Sequence, residues 1–350
     1  MREFGLLWDM VVCLTILRET GDLYMKPFYI TMILLSILLL GCADKPVAGV
    51  AESDPPRAER KFEFLYSADI TNIPENAKDV QIWFPIPQSD ENQKIDDVRI
   101  KTPEGYRVYT ESEYGNKIGH IHVKGNQPSN IPILLSFDVT RYEDRGGDYL
   151  TENVDRFLKP SRRGTITTEV KEAASRISQH QDEPQGKIRE TYLYVIDNME
   201  YKKEGTGWGH GDTAWACSAG YGNCTDYHAL FIALSQAQGI PAHFDMGFPL
   251  PPDKSEGAVL GYHCWAHYYL PGRGWVPVDV SEADKQPVLK DYFFGAHDPN
   301  RVKFTTGRDI MLEPKQKGEH LNYFIYPYVE IDGVPHSDMT LSFSFKDFQG

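Results

Sequence analysis

From Phe62 to Ile70 the large apolar residues fall on every second position: Phe62, Phe64, Tyr66, Ala68 and Ile70 share one parity. Val80, Ile82, Phe84 and Ile86 repeat the pattern beyond a Pro/Asn turn region. A period of two describes a strand with one face buried, and it excludes an amphipathic helix, whose apolar residues recur at three and four. Segments at 99–108, 118–123 and 133–139 continue the pattern, so residues 61–145 are expected to form an all-β module, most simply a sandwich. Nothing in it gathers catalytic residue types, and it reads as scaffold or recognition surface.

The period then changes. Thr167 or Thr168 can cap a helix in which Val170, Ala173, Ala174 and Ile177 share a face, and Ile188, Tyr192, Val195, Ile196 and Met199 repeat that spacing after Pro184. A third helix is expected from Cys224 to about Gln238, ended by Gly239 and Pro241. Beyond Pro252 strands return at 263–270 and 275–280 around a Pro271-Gly272-Arg273-Gly274 turn, then at 321–331 and 340–345 joined through Asp332-Gly333. The fold class that follows is α+β: helices packed on an antiparallel sheet over residues 160–300, a C-terminal β extension over 301–350, and the β module in front.

With 50 Asp+Glu against 36 Lys+Arg, a net charge of −14, the chain is not a dedicated nucleic-acid binder. Its N-terminus is unlike the rest. Pro27 to Gly41 is an uncharged apolar run preceded by Met25-Lys26, which suits a signal peptide better than a membrane span of about 20 residues. The run ends in Leu39-Leu40-Gly41-Cys42, which resembles the bacterial lipobox, whose cysteine is lipidated and becomes the mature N-terminus. Residues 1–41 are therefore expected to be a leader, with Met25 an alternative start, and 42–60 a polar tether reaching at most about 60 Å. The protein is expected outside the cytoplasm, held to a membrane through Cys42. With Cys13 lost in the leader and Cys42 lipidated, Cys217, Cys224 and Cys264 remain, an odd number that disulfides within one chain cannot consume.

Asn223-Cys224-Thr225-Asp226 places one of these thiols at the first turn of the third helix, with Asn223 a natural N-cap. The unpaired N–H groups and positive dipole end favour a thiolate there and can stabilise an oxyanion formed when that sulfur attacks a carbonyl. Acyl transfer by a thiolate wants an imidazole partner and a group that orients it. If the turn pairs Tyr269 with Trp275, Asp279 falls opposite Trp265 and becomes the diagonal neighbour of His263 on one face, about 7 to 8 Å away. A slip of one residue would separate them.

Gly222-Asn223-Cys224-Thr225-Asp226-Tyr227-His228, Gly239-Ile240-Pro241-Ala242, His263-Cys264-Trp265 and Gly274-Trp275-Val276-Pro277-Val278-Asp279, in that order, resemble the transglutaminase-like superfamily of papain-like cysteine enzymes. The likeness spans about residues 165–285. It implies Cys224 as nucleophile, His263 as general acid/base and Asp279 as the orienting carboxylate. It also implies acyl transfer at peptide-type amides through a thioester, with hydrolysis (protease or amidase, cell-wall peptide included) preferred over amine cross-linking because it needs no second substrate site. Cys264 and Val280-Ser281 depart from common family residues and leave substrate class open. The competing reading is a non-catalytic binding or scaffold module on the same fold.

Other candidates rank lower. His267 shares a predicted face with His263 but lacks the His-x-Trp context, and His228, one turn beyond Cys224, is expected to pack or to support the site. Cys264 should face away from His263 into the core, and Cys217 is expected to be buried rather than bonded to Cys224. Trp208 or Trp215 could aim an indole N–H at an oxyanion, and Arg308 and Asp309 are expected to pair. A zinc site from Cys217, Cys224, His210 and His263 has no paired-cysteine or paired-histidine spacing behind it, so no metal and no cofactor are expected.

Overall fold

The structure, a computed structural model, describes residues 56–125, 128–149 and 153–349. The expected leader, Cys42 and most of the tether lie outside them. Among the described residues no helix is long and apolar enough to cross a membrane.

The β module opens with β1 (Glu59–Ile70), β2 (Asp79–Ile86), β3 (Gln93–Lys101), β4 (Tyr106–Thr110), β5 (Lys117–Lys124) and β6 (Ile131–Tyr142). Alternation decides their faces: Phe62, Phe64, Tyr66, Ala68 and Ile70 are all buried, while their neighbours along β1 are only partly covered. Four main helices follow: α1 (Thr168–Ser178), α2 (Pro184–Asn198), α3 (Thr213–Ala219) and α4 (Cys224–Ala237), with the short parallel pair β7 (Glu200–Tyr201) and β8 (Tyr221–Gly222) between them. Thr167 caps α1 by accepting from the Val170 amide, and Pro184 occupies the first turn of α2. The chain continues through β9 (Ala242–Pro249), β10 (Glu256–Val259), β11 (His263–Leu270), β12 (Gly274–Val278), the short helix α5 (Val280–Lys285), β13 (Arg301–Thr306), β14 (Tyr328–Ile331), β15 (Val334–His336) and β16 (Met339–Asp347).

Three sheets result: β10-β16-β1-β6-β3, β15-β14-β2-β5-β4 and, under the helices, β12-β11-β9-β13. The first two share one core, in which Phe62, Phe64, Phe137 and Val139 meet Val80, Ile82 and Phe84. That core also takes Phe244, Met246 and Phe248 from β9 and Val302 and Phe304 from β13, so the sandwich and the helix-covered sheet are fused through apolar side chains. A second core joins Tyr227, Leu230, Phe231 and Leu234 of α4 to Ala266, Tyr268, Val276 and Val278 of the sheet.

The α+β class and the three long helices are as the sequence predicts, and the hairpin register is too, with Tyr269 opposite Trp275. Other elements differ. The segment at 99–108 is two strands in two sheets, broken at Pro103-Glu104-Gly105, and of 321–331 only β14 is strand. β9 and β13 are absent from the sequence reading although Phe244, Met246 and Phe248, and Val302 and Phe304, alternate with polar or small residues; both strands are largely buried, so the polar residues of the second face are covered as well. The last fifty residues do not simply extend the helix-covered sheet: β13 joins it, whereas β14 pairs with β2 and β16 inserts between β1 and β10.

Candidate active site

α4 begins where the sequence places it because its first turn is capped twice over. The Asn223 side chain accepts from Thr225 N at 2.9 Å, and Asp226 Oδ2 accepts from Asn223 N at 3.0 Å, a reciprocal capping box. Asp226 also accepts from the amides of Gly209 (2.6 Å) and Gly211 (2.9 Å), so one buried carboxylate fastens the preceding loop to the helix start. Both glycines hold φ values of 81° and 57°, a left-handed region that other residues enter at a cost.

Cys224 is the first residue of α4, 3 % exposed. There the helix leaves amide donors without intrahelical acceptors. His263 opens β11, and its Nε2 lies 2.7 Å from Asp279 Oδ2, which leaves Nδ1 as the ring nitrogen available to the neighbouring Cys224 thiol. Asp279 follows β12 and caps α5, accepting from Glu282 N at 3.0 Å and Ser281 Oγ at 3.2 Å. The cap is what stops β12 at Val278 and turns the carboxylate toward His263. The structure thus brings all three sequence-predicted residues together.

The electrostatics favour a separated charge pair. A hydrogen bond from the Cys264 thiol pulls the Cys224 pKa down, burial opposes it, and the bond and charge of His263 carry the thiol well below its ordinary range. Burial pulls His263 down, but the Asp279 carboxylate and the Cys224 sulfur outweigh it and lift the imidazole to about 10. Asp279 is fully buried, which raises its pKa; His263 and Arg301 overcome this and hold it well below the usual carboxylate range.

Three supporting residues complete the arrangement. Arg301 donates to Asp279 Oδ2 at 3.0 Å and to Asp298 Oδ2 at 2.9 Å. His228 donates from Nδ1 to the Cys224 carbonyl at 2.8 Å and accepts at Nε2 from Val280 N at 3.1 Å, a pattern that fixes a neutral tautomer and ties α4 to α5. Tyr262, just before β11, sets its hydroxyl 2.9 Å from Thr225 Oγ1 and 3.1 Å from Asn223 Nδ2, closing over the helix start. Sequence reasoning anticipated His228 but missed Arg301 and Tyr262; Arg301 lies 22 residues from Asp279, and no motif links them.

The remaining candidates fall elsewhere. Cys264 points away from His263, as expected, but toward the start of α4, within 3.9 Å of Thr225 Oγ1 and 3.8 Å of His228 Nδ1. Cys217 is a free, half-buried thiol on α3, not a buried one. His267 is held between Asp144 and Asp245, away from the sulfur. Trp215 packs on Tyr221 and beside Gly207. Arg308 makes no ion pair with Asp309 in the structure; it donates to the carbonyls of His210 (2.9 Å) and Gly211 (3.0 Å), where its fork closes the same loop that Asp226 holds.

Helices on an antiparallel sheet, with a thiol at a helix start beside a histidine and a carboxylate, are the architecture of papain-like cysteine enzymes. Residues 171–280 match the transglutaminase-like superfamily. An uncharacterized protein of Haemophilus influenzae is 27 % identical over 335 residues, covering 82 % of this chain and 89 % of its own. A crystal structure of a candidate cysteine protease from Cytophaga hutchinsonii superposes with a TM-score of 0.56 at 16 % identity, covering 84 % of this chain and 93 % of that one; it shares the fold.

Proposed function

We propose that the protein is a cysteine hydrolase of peptide-type amide bonds, with Cys224 as nucleophile, His263 as general acid/base and Asp279 as the carboxylate that orients it. The observation that carries this reading is a buried thiol at a capped helix start, Cys224, lowered by the neighbouring His263, whose Nε2 lies 2.7 Å from Asp279. The Cys224 thiolate attacks the carbonyl carbon while the α4 amides face the developing oxyanion. As the C–N bond breaks, the His263 imidazolium gives its proton to the departing amine and a thioester remains. Neutral His263 then takes a proton from water, the hydroxide displaces the sulfur, and an acid is released with the thiolate restored. Peptide or cell-wall peptide supplies the substrate class, and the leader and Cys42 would place the enzyme on a membrane facing out of the cytoplasm.

The test is a peptide-amide library read by mass, with and without an added primary amine. Products gaining one water, made by the parent and absent with Cys224→Ala, are the expected result; products carrying the amine would assign cross-linking instead. Turnover by Cys224→Ala equal to the parent's would overturn the nucleophile. Anchoring is tested separately: Cys42→Ser should move the protein from the membrane fraction to the soluble one.

A further inference from the structure

On the His263 face of β11, two alternations further along the strand, a second group of titratable side chains takes no part in the thiol chemistry. His243 and Asp245 project from one face of β9, and pairing of β9 with β11 sets His267 directly opposite His243. The His243 and His267 rings stack at 4.9 Å, His267 Nδ1 is 3.0 Å from Asp245 Oδ2, and His243 Nδ1 is 3.6 Å from Asp245 Oδ1. All three residues are buried, at 5, 0 and 4 % exposure for His243, Asp245 and His267.

This group is short of partners. Both ring nitrogens of His243, Asp245 Oδ2 and His267 Nδ1 have no hydrogen bond, the last two being close but out of line. A native fold seldom leaves buried polar atoms without partners, and four kept together call for a ligand. The donors line a cavity of about 260 Å³.

We propose that His243, Asp245 and His267 bind a divalent transition-metal ion of the zinc type, with its open coordination positions facing that cavity. Ligand atoms about 2.1 Å from a tetrahedral ion stand about 3.4 Å apart; one ligand atom from each of the three residues lies within 4.8 Å of the others, with His267 3.0 Å from Asp245 Oδ2 and His243 3.6 Å from Asp245 Oδ1, so small rotations close the set. Two imidazoles and one carboxylate suit zinc or a neighbouring transition ion and not Ca²⁺ or Mg²⁺, which take oxygen. The other His267 nitrogen, Nε2, lies 2.8 Å from Asp144 Oδ2, the carboxylate–histidine arrangement that orients a metal-bound ring. Two cations, Lys303 and Arg141, line the same cavity; Lys303 is matched by Asp90 at 2.6 Å, and with Thr306 donating to Asp245 Oδ1, Asp245 Oδ2 remains available. His297 lies beyond Asp144, at 3.9 Å from Oδ2, and is excluded from the set because the His267 nitrogen on that side is already bonded. Asp144 follows β6, so the ion would tie the β module to the helix-covered sheet.

The full chain, stripped with a chelator, is titrated with Zn²⁺ against a chromophoric competitor, and separately with Co²⁺ for its absorption spectrum. One equivalent should bind, survive Cys224→Ser with Cys264→Ser, and show no thiolate-to-cobalt charge-transfer band. His243→Asn or Asp245→Asn should weaken binding at least 100-fold, Asp144→Asn by about 10- to 100-fold, and His297→Asn should leave it unchanged. No retained equivalent, a thiolate band, or loss with His297→Asn but not with His243→Asn would overturn the site. Should ligand variants fail to fold by circular dichroism, the cobalt spectrum of the parent decides.

Discussion

Asp279 has no exposed surface, yet its contacts favour the charged form, and Arg301 is the neighbour that holds its own charge at every working pH. Arg301→Gln should therefore raise the Asp279 pKa and move the acidic limb of the pH–activity profile upward by about one unit or more; an unmoved limb would mean Asp279 does not govern it. The thiol pair gives a second expectation. With Cys224 lowered and His263 lifted to about 10, the reactive form spans mild acid to that value. Iodoacetamide labelling of Cys224 followed by mass spectrometry should then be nearly flat across neutral pH, whereas the half-buried Cys217, whose pKa burial raises, should label faster with each unit of pH. Above about 10 the two readouts should part. Labelling needs only the thiolate and persists; amide turnover falls, because a neutral imidazole has no proton for the leaving amine.

Among the elements, α4 carries the site, and its start depends on Asp226 more than on any packing residue. Three backbone amides, from Gly209, Gly211 and Asn223, end on that carboxylate. Asp226→Ala should lower stability by on the order of 3 kcal/mol, since it leaves buried donors unpaired, and should slow Cys224 labelling in the remaining folded protein. Urea melts and labelling rates measure the two effects; a variant as stable as the parent would show the loop held from elsewhere, by the Arg308 fork for example. Gly222 leaves no room for an alternative, because a Cβ there would sit 2.4 Å from Asp226 Oδ2.

For the whole molecule, the consequential fact is that one core spans both modules. Phe64 meets Phe248 and Phe304 at ring separations of 5.3 and 5.9 Å, and β16, the last strand, lies between β1 and β10. Residues 160–300 alone would expose Phe244, Met246 and Phe248 and lack β13 entirely, so this fragment should show no cooperative unfolding transition. A chain ending at His336 should fail likewise, since it loses the partner of β1 and the paired hydrogen bonds of Arg60 to Asp347. Cooperative melting of either truncated chain, followed by circular dichroism, would show that the two halves fold independently.

Local physics was legible in the residues themselves. Alternation at Phe62–Ile70 gave strand faces, Asn223 and Gly239 bounded α4, and the Pro271–Gly274 turn set the register that carries Asp279 beside His263. These features depend on neighbours within a few positions, and short-range sterics and hydrogen bonds leave their mark in the order of residue types. What came only with the tertiary structure depends on distant segments: Arg301 on Asp279, Tyr262 over Asn223, β16 beside β1, and His243, Asp245 and His267 gathered by the pairing of β9 with β11. The polar face of β9 does not show in sequence that it is buried, and a charge partner 22 residues away shows no spacing, so strand pairing and burial had to be in place before either could be read.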